Sequence, residues 1–129
     1  GRGLNTKKVS KKPRALHYLP DIYLNRSEAL IGKGELVEAL RFYGCIYRVE
    51  QRWEEARKCL EKSLDLNRQY GQTVSLGEAL YSMGELEWDR GQSEAALDPL
   101  REAERIFGDA GAVPDLERVR EKLAIILAA

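Results

Sequence analysis

Two sets of side chains have the types and spacing to recognise another molecule. The first is Glu38, Arg41, Phe42, Cys45, Arg48 and Val49; the second is Glu78, Tyr81, Ser82, Glu85, Trp88 and Asp89. Residues three, four and seven apart share one face of a helix, so each set would form a single surface. Arginine and aromatic side chains are the usual anchors of protein interfaces, which makes recognition the chemistry to expect and Trp88 the first candidate for a hot spot. A matching segment would have mixed charge, acidic toward Arg41 and Arg48 and basic toward Glu78, Glu85 and Asp89. Phe42, Tyr81 and Trp88 would be its apolar anchors. The competing reading is internal: Arg41 and Arg48 pair with Glu78 and Glu85, and Trp88 packs beneath a neighbouring helix. Surface ion pairs and interface arginines look alike in a sequence.

The rest of the chain offers little reactive chemistry. His17 is the only histidine and has no carboxylate or thiol at useful spacing. Gly-rich phosphate loops, Ser/His/Asp arrangements and His-Glu-x-x-His are all missing, so no catalytic residue, cofactor or metal site is assigned. Cys45 and Cys59 lack Cys-x-x-Cys spacing and fall on different expected helices, which reads as two reduced thiols.

The elements that would carry the two sets repeat. Leu36-x-x-Ala39-Leu40-x-x-Tyr43-Gly44 returns 40 residues later as Leu76-x-x-Ala79-Leu80-x-x-Met83-Gly84, and fades into Leu116-x-x-Val119-Arg120-x-x-Leu123-Ala124. Ala56, Leu60, Ser63, Leu66 and Gly71 are answered by Ala96, Leu100, Ala103, Ile106 and Gly111. A fixed period of this size means stacked supersecondary units, each burying its apolar face against its neighbours. Apolar periodicity predicts six helices and no strand. The first starts at Pro20-Asp21 and stops in Gly32-Lys33-Gly34, and the others cover about 35–50, 53–68, 73–90, 93–107 and 114–128. Thr73 or Ser75 is expected to cap the fourth helix and Ser93 the fifth. The two-residue Gln51-Arg52 break forces the helices on either side to run antiparallel. Gly44, Ala56, Gly84 and Ala96 sit within apolar stripes, where a glycine costs about 1 kcal/mol relative to alanine. They are expected to mark close helix crossings.

Tyr43-Gly44-x-x-Tyr47 followed by Trp53-x-x-Ala56-x-x-x-Leu60-x-x-Ser63 resembles the tetratricopeptide repeat, and Met83-Gly84, Gly91, Ala96, Leu100 and Ala103 match the same pattern. The period of 40 resembles the extended subfamily of bacterial signalling ATPases and regulators and of scaffolds such as rapsyn. Glu87 departs from the pattern by standing where the aromatic belongs, with Trp88 beside it as compensation. The resemblance implies an all-α fold, an α-solenoid of antiparallel helix pairs, with units at about 36–75 and 76–115 and partial units at both ends of residues 15–129. It further implies that the second, fourth and sixth helices line a concave groove. Arg41, Phe42, Cys45, Arg48, Glu78, Tyr81, Glu85, Trp88 and Asp89 would form the partner-binding part of it. A second threading pairs the first and second expected helices, because Gly34 to Leu40 imitates Gly91 to Leu97; the 40-residue recurrence favours the first.

Charge and composition narrow the partners. Residues 1–14 carry six basic side chains and no acid, which leaves 21 − 6 = 15 basic against 21 acidic residues after them. That basic stretch reads as a flexible leader. It has no aromatic residue to stack bases and the body is acidic, which argues against nucleic acid as a partner. No apolar run reaches the roughly 18 residues of a membrane span, and a secretory signal core is missing, so a cytoplasmic protein is expected. Two functions follow. One is a non-enzymatic scaffold that binds a peptide or helix of a partner protein in the groove, as in signalling assemblies. The other is a regulatory module that self-associates through its ends, using Leu116, Val119, Leu123, Ile126 and Leu127 on the last helix.

Overall fold

The computed structural model describes residues 33–71 and 73–129. The leader, His17 and the first expected helix lie outside them. The chain divides into two compact units, Gly1–Leu36 and Val37–Ala129, and the architecture below is that of the second. Five helices follow one another: α1 Lys33–Val49, α2 Trp53–Tyr70, α3 Thr73–Asp89, α4 Ser93–Ala110 and α5 Val113–Ala128. The described residues are all-helical, an α-solenoid of antiparallel pairs. Lys33 and Gly34, expected to end a helix, instead open α1.

The turns have a common cause. Backbone N–H groups of Arg52, Gln92 and Ala112 reach the carbonyls of Tyr47, Glu87 and Phe107 at 2.8 to 2.9 Å, the six-to-one closure that follows a left-handed residue. Those left-handed residues are Gln51 (φ 62°), Gly91 (φ 78°) and Gly111 (φ 70°). The residue after each then becomes the N-cap of the next helix, accepting its first hydrogen bond: Arg52 from Ala56, Gln92 from Ala96, Ala112 from Leu116. This corrects the cap assignments. Ser93 is the first residue inside α4 and Gln92 is its cap, without a side-chain cap bond. Thr73 likewise lies inside α3, and Ser75 deeper still. A two-residue turn leaves no room for a separate capping serine.

Gln51 occupies a slot that its repeat mate Gly91 fills without strain. Left-handed backbone costs a non-glycine residue roughly 1–2 kcal/mol, partly offset by the extra freedom glycine gives the unfolded chain. We expect Gln51→Gly to raise stability by about 0.5–1 kcal/mol in urea denaturation, and no change would mean that Gln51 is not strained there.

Within each pair the helices touch through the expected glycines. A Cβ on Gly44 would stand 2.6 Å from Leu60 Cγ, and one on Gly84 would stand 2.5 Å from Leu100 Cγ. The two crossings are 40 residues apart on both partners. Ala56 and Ala96 are fully buried beside them. The core of the second pair continues into α5, where Val119, Leu123 and Ile126 join Leu80, Leu100, Ile106 and Phe107.

Candidate functional site

The odd-numbered helices form one face, rung beside rung, and the contacts between rungs share one offset, apart from Arg48 to Asp89 at 41 residues. Cys45 Sγ lies 3.6 Å from Ser82 Oγ, a separation of 37 residues. The same offset joins Arg41 to Glu78 at 3.8 Å, Arg48 to Glu85 at 3.7 Å and Lys122 to Glu85 at 3.9 Å. It also places the Arg118 guanidinium over the Tyr81 ring, 4.9 Å from its centroid. Neighbouring rungs are thus in register after a slip of 40 − 37 = 3 residues, nearly one helical turn. α5 is a full member of this face. Arg118 and Lys122 reach back across it to α3.

Arg41 is shared, donating to Glu38 at 2.7 Å while its guanidinium lies 4.7 Å from the Phe42 ring centroid. Arg48 donates to Asp89 at 2.5 Å as well as approaching Glu85. Burial opposes the charge on Arg48, but its hydrogen bond to Asp89 and the field of Glu85 hold its pKa above the usual value. Burial pushes the Tyr81 phenol up to about 12, and the Glu85 carboxylate it donates to pushes the same way. The internal pairing of Arg41 and Arg48 with Glu78 and Glu85 is therefore present in the structure.

Burial also raises Glu78, against the pull of Arg41 and with the charges of Glu38 and Asp115. The folded chain then binds this proton more tightly than the unfolded one. The contribution of Glu78 favours folding in acid and is lost as pH rises through its folded pKa. Glu78→Gln should accordingly be at least as stable as the parent at pH 7, with its advantage gone near pH 4. A glutamine variant less stable at pH 7 would show that the Arg41 pair outweighs desolvation.

The remaining members of the expected set are placed differently. Trp88 is half-buried and packs on the core cluster of α3, α4 and α5. Phe42 is 55% exposed and shares its side of α1 with Ile46 and Val49 rather than facing α3.

Sequence reasoning missed the main role of Glu87. It is 4% exposed and its carboxylate meets Arg57 of α2 at 2.9 Å and Arg90 at 3.8 Å. Its repeat mate is Tyr47, also buried, with Arg52 stacked 4.9 Å from the ring centroid. The missing aromatic is thus replaced by a buried ion pair from Glu87 itself, and Trp88 does not stand in for it. The signal was available: a carboxylate at an apolar repeat position requires a cation.

Three or more metal-ligating side chains gathered together are not found among the described residues. No disulfide joins Cys45 and Cys59. No described helix is long and apolar enough to cross a membrane.

Comparison with known proteins agrees with this geometry. The tetratricopeptide repeat family profile matches residues 35–109, more than half of the chain. The protein belongs to the tetratricopeptide repeat family, whose members generally mediate protein–protein interaction. Neither the curated proteins nor the solved structures yield a match.

Proposed function

We propose that the protein is a non-enzymatic interaction scaffold whose rung face, built by α1, α3 and α5, binds a segment of a partner protein in a cytoplasmic assembly. The observation that supports this reading is the ladder of alternating charge from Arg41 through Glu78 and from Arg48 through Glu85 to Lys122, flanked by the half-buried rings of Tyr81 and Trp88. Each ladder ion already has an internal partner. A bound segment must therefore gain its affinity from the aromatic rings and its orientation from exchanging ion pairs along the ladder.

The alternative, self-association through the apolar stripe of the last helix, has less support. Val119, Leu123 and Ile126 are buried within the protein's own core, and Leu116 packs against it. Leu127 alone of the five remains exposed.

Peptides selected from a displayed library against the full chain test the proposal. Their affinity should fall about 30-fold, equivalent to roughly 2 kcal/mol, in Trp88→Ala, and should respond to Arg48→Glu. A thermal melt of each variant must show that it is folded at the assay temperature. Binders indifferent to both substitutions would place the interaction elsewhere.

A further inference from the structure

The ladder is balanced at one end and short of a cation at the other. In the C-terminal halves of the rungs, Arg48 and Lys122 meet Glu85 and Asp89, so each acid has a cation. In the N-terminal halves the count differs. Three consecutive rungs bring the carboxylates of Glu38, Glu78 and Asp115 within reach of one another's charge, against Arg41 and Arg118. Both arginines are committed on their own helices, Arg41 donating to Glu38 at 2.7 Å and Arg118 to Asp115 at 2.8 Å. Glu78 is the acid left over. Its ion pair with Arg41 spans 3.8 Å, beyond hydrogen-bond reach. Its other contact is with the Glu38 carboxyl, and two carboxyl groups hydrogen-bond only by sharing a proton. The Glu78 side chain remains 31% exposed, so a ligand can reach it.

We propose that Glu78 is the specificity residue of the rung face, taking a lysine or arginine of the bound segment in place of the proton it shares with Glu38. The proposal rests on the rung face being the binding surface and adds what that surface selects. It also fixes a spacing. Glu78 and Trp88 are ten residues apart on α3, about 15 Å along the helix at 1.5 Å per residue. An extended segment covers that distance in about four or five residues. The partner therefore carries a basic residue four or five positions from the large apolar residue that packs on Trp88, and its basic end lies toward the N-terminus of α3. The reverse orientation is disfavoured, because Glu85 and Asp89 are already answered by Arg48 and Lys122. Binding must compete with protonation. Burial raises the pKa of Glu78 and the charges of Glu38 and Asp115 add to it against the pull of Arg41, so the segment should bind more tightly as pH rises through that pKa and more weakly in acid.

A displayed library of random linear peptides, selected in parallel against the full parent chain and the full Glu78→Gln chain, tests the proposal. Glutamine keeps the shape of the side chain, and a thermal melt confirms the fold. Lysine or arginine four or five positions from an aromatic residue or leucine should be enriched by the parent and not by Glu78→Gln. The leading parent peptide should lose about fivefold in affinity on Glu78→Gln, and about as much when its own basic residue becomes glutamine, without a second loss when both are changed. Fluorescence anisotropy reads each Kd. Lowering the pH from 7 to 5 should weaken the parent complex and leave the Glu78→Gln complex less affected. Peptides that lose affinity in Trp88→Ala yet bind Glu78→Gln as tightly as the parent overturn this inference and leave the rung face as the site. Peptides indifferent to Trp88→Ala, or a library that yields no binder to the parent, overturn both readings.

Discussion

Arg57→Met should destabilise the protein by about 2–3 kcal/mol in urea denaturation. The substitution keeps an unbranched apolar stem and removes the guanidinium, with its charge and its hydrogen-bond donors. Glu87 is then left 4% exposed with Arg90 at 3.8 Å as the remaining counter-ion among the ion pairs seen. Stranding a fully buried charge costs about 3–5 kcal/mol. The lower figure reflects Arg90 and the 34% exposure of the Arg57 side chain, which moderates the strength of the pair. The opposite result is expected when both charges go. Arg57→Met with Glu87→Met should recover most of the loss, because a well-packed apolar pair is often as stable as a buried ion pair. Arg57 and Glu87 belong to α2 and α3, so the loss falls on the contact between the two helix pairs, the term on which a repeat protein's cooperativity depends. A loss below about 0.5 kcal/mol in the single variant would show that Glu87 draws its stabilisation from elsewhere.

Gly84→Leu should cost about 1–3 kcal/mol by overpacking. A Cβ at position 84 meets Leu100 Cγ at 2.5 Å, Cδ2 at 2.6 Å and Cδ1 at 3.2 Å, so the whole isobutyl group blocks it. Alanine at 84 gains about 1 kcal/mol of helix propensity against the same clash, and Gly84→Ala should therefore sit closer to the parent than Gly84→Leu. Adding Leu100→Ala to Gly84→Leu should cost less than the sum of the two single changes, since the space vacated by one is taken by the other. A double-mutant cycle reads that coupling directly. Additive losses would mean that residues 84 and 100 do not share the crossing.

The 40-residue period and the small residues on apolar stripes were enough to assign the fold and to locate the crossings at Gly44 and Gly84. Both signals are local. A helix face shows its periodicity in one stretch of chain, and a glycine kept inside a stripe announces a close approach whatever lies opposite. The charged set Arg41, Arg48, Glu78 and Glu85 was legible for the same reason, and its internal pairing was one of the two readings available.

Only the tertiary structure decided how the rungs register. The offset of 37 rather than 40 arises from the stagger between neighbouring units, which no single helix encodes, and it brings Arg118 and Lys122 onto the ladder while turning Phe42 away from it. Gly77 shows the same limit. Its repeat mate is Val37, yet a Cβ there would stand 2.8 Å from Phe107 Cε1, and Phe107 itself replaces Asn67 of the first unit. A small residue was exchanged for a large one on facing helices, a compensation visible only once their contact is known. Pro99 lies inside α4 against its local preference, next to Leu100, which is fully buried at the crossing with Gly84. Glu87 and Gln51 occupy positions where the neighbouring unit carries an aromatic and a glycine, and each is accommodated by a partner or a backbone conformation set by packing. Periodicity along the chain specifies what each helix buries; the stacking of one unit on the next specifies which surfaces and charges meet.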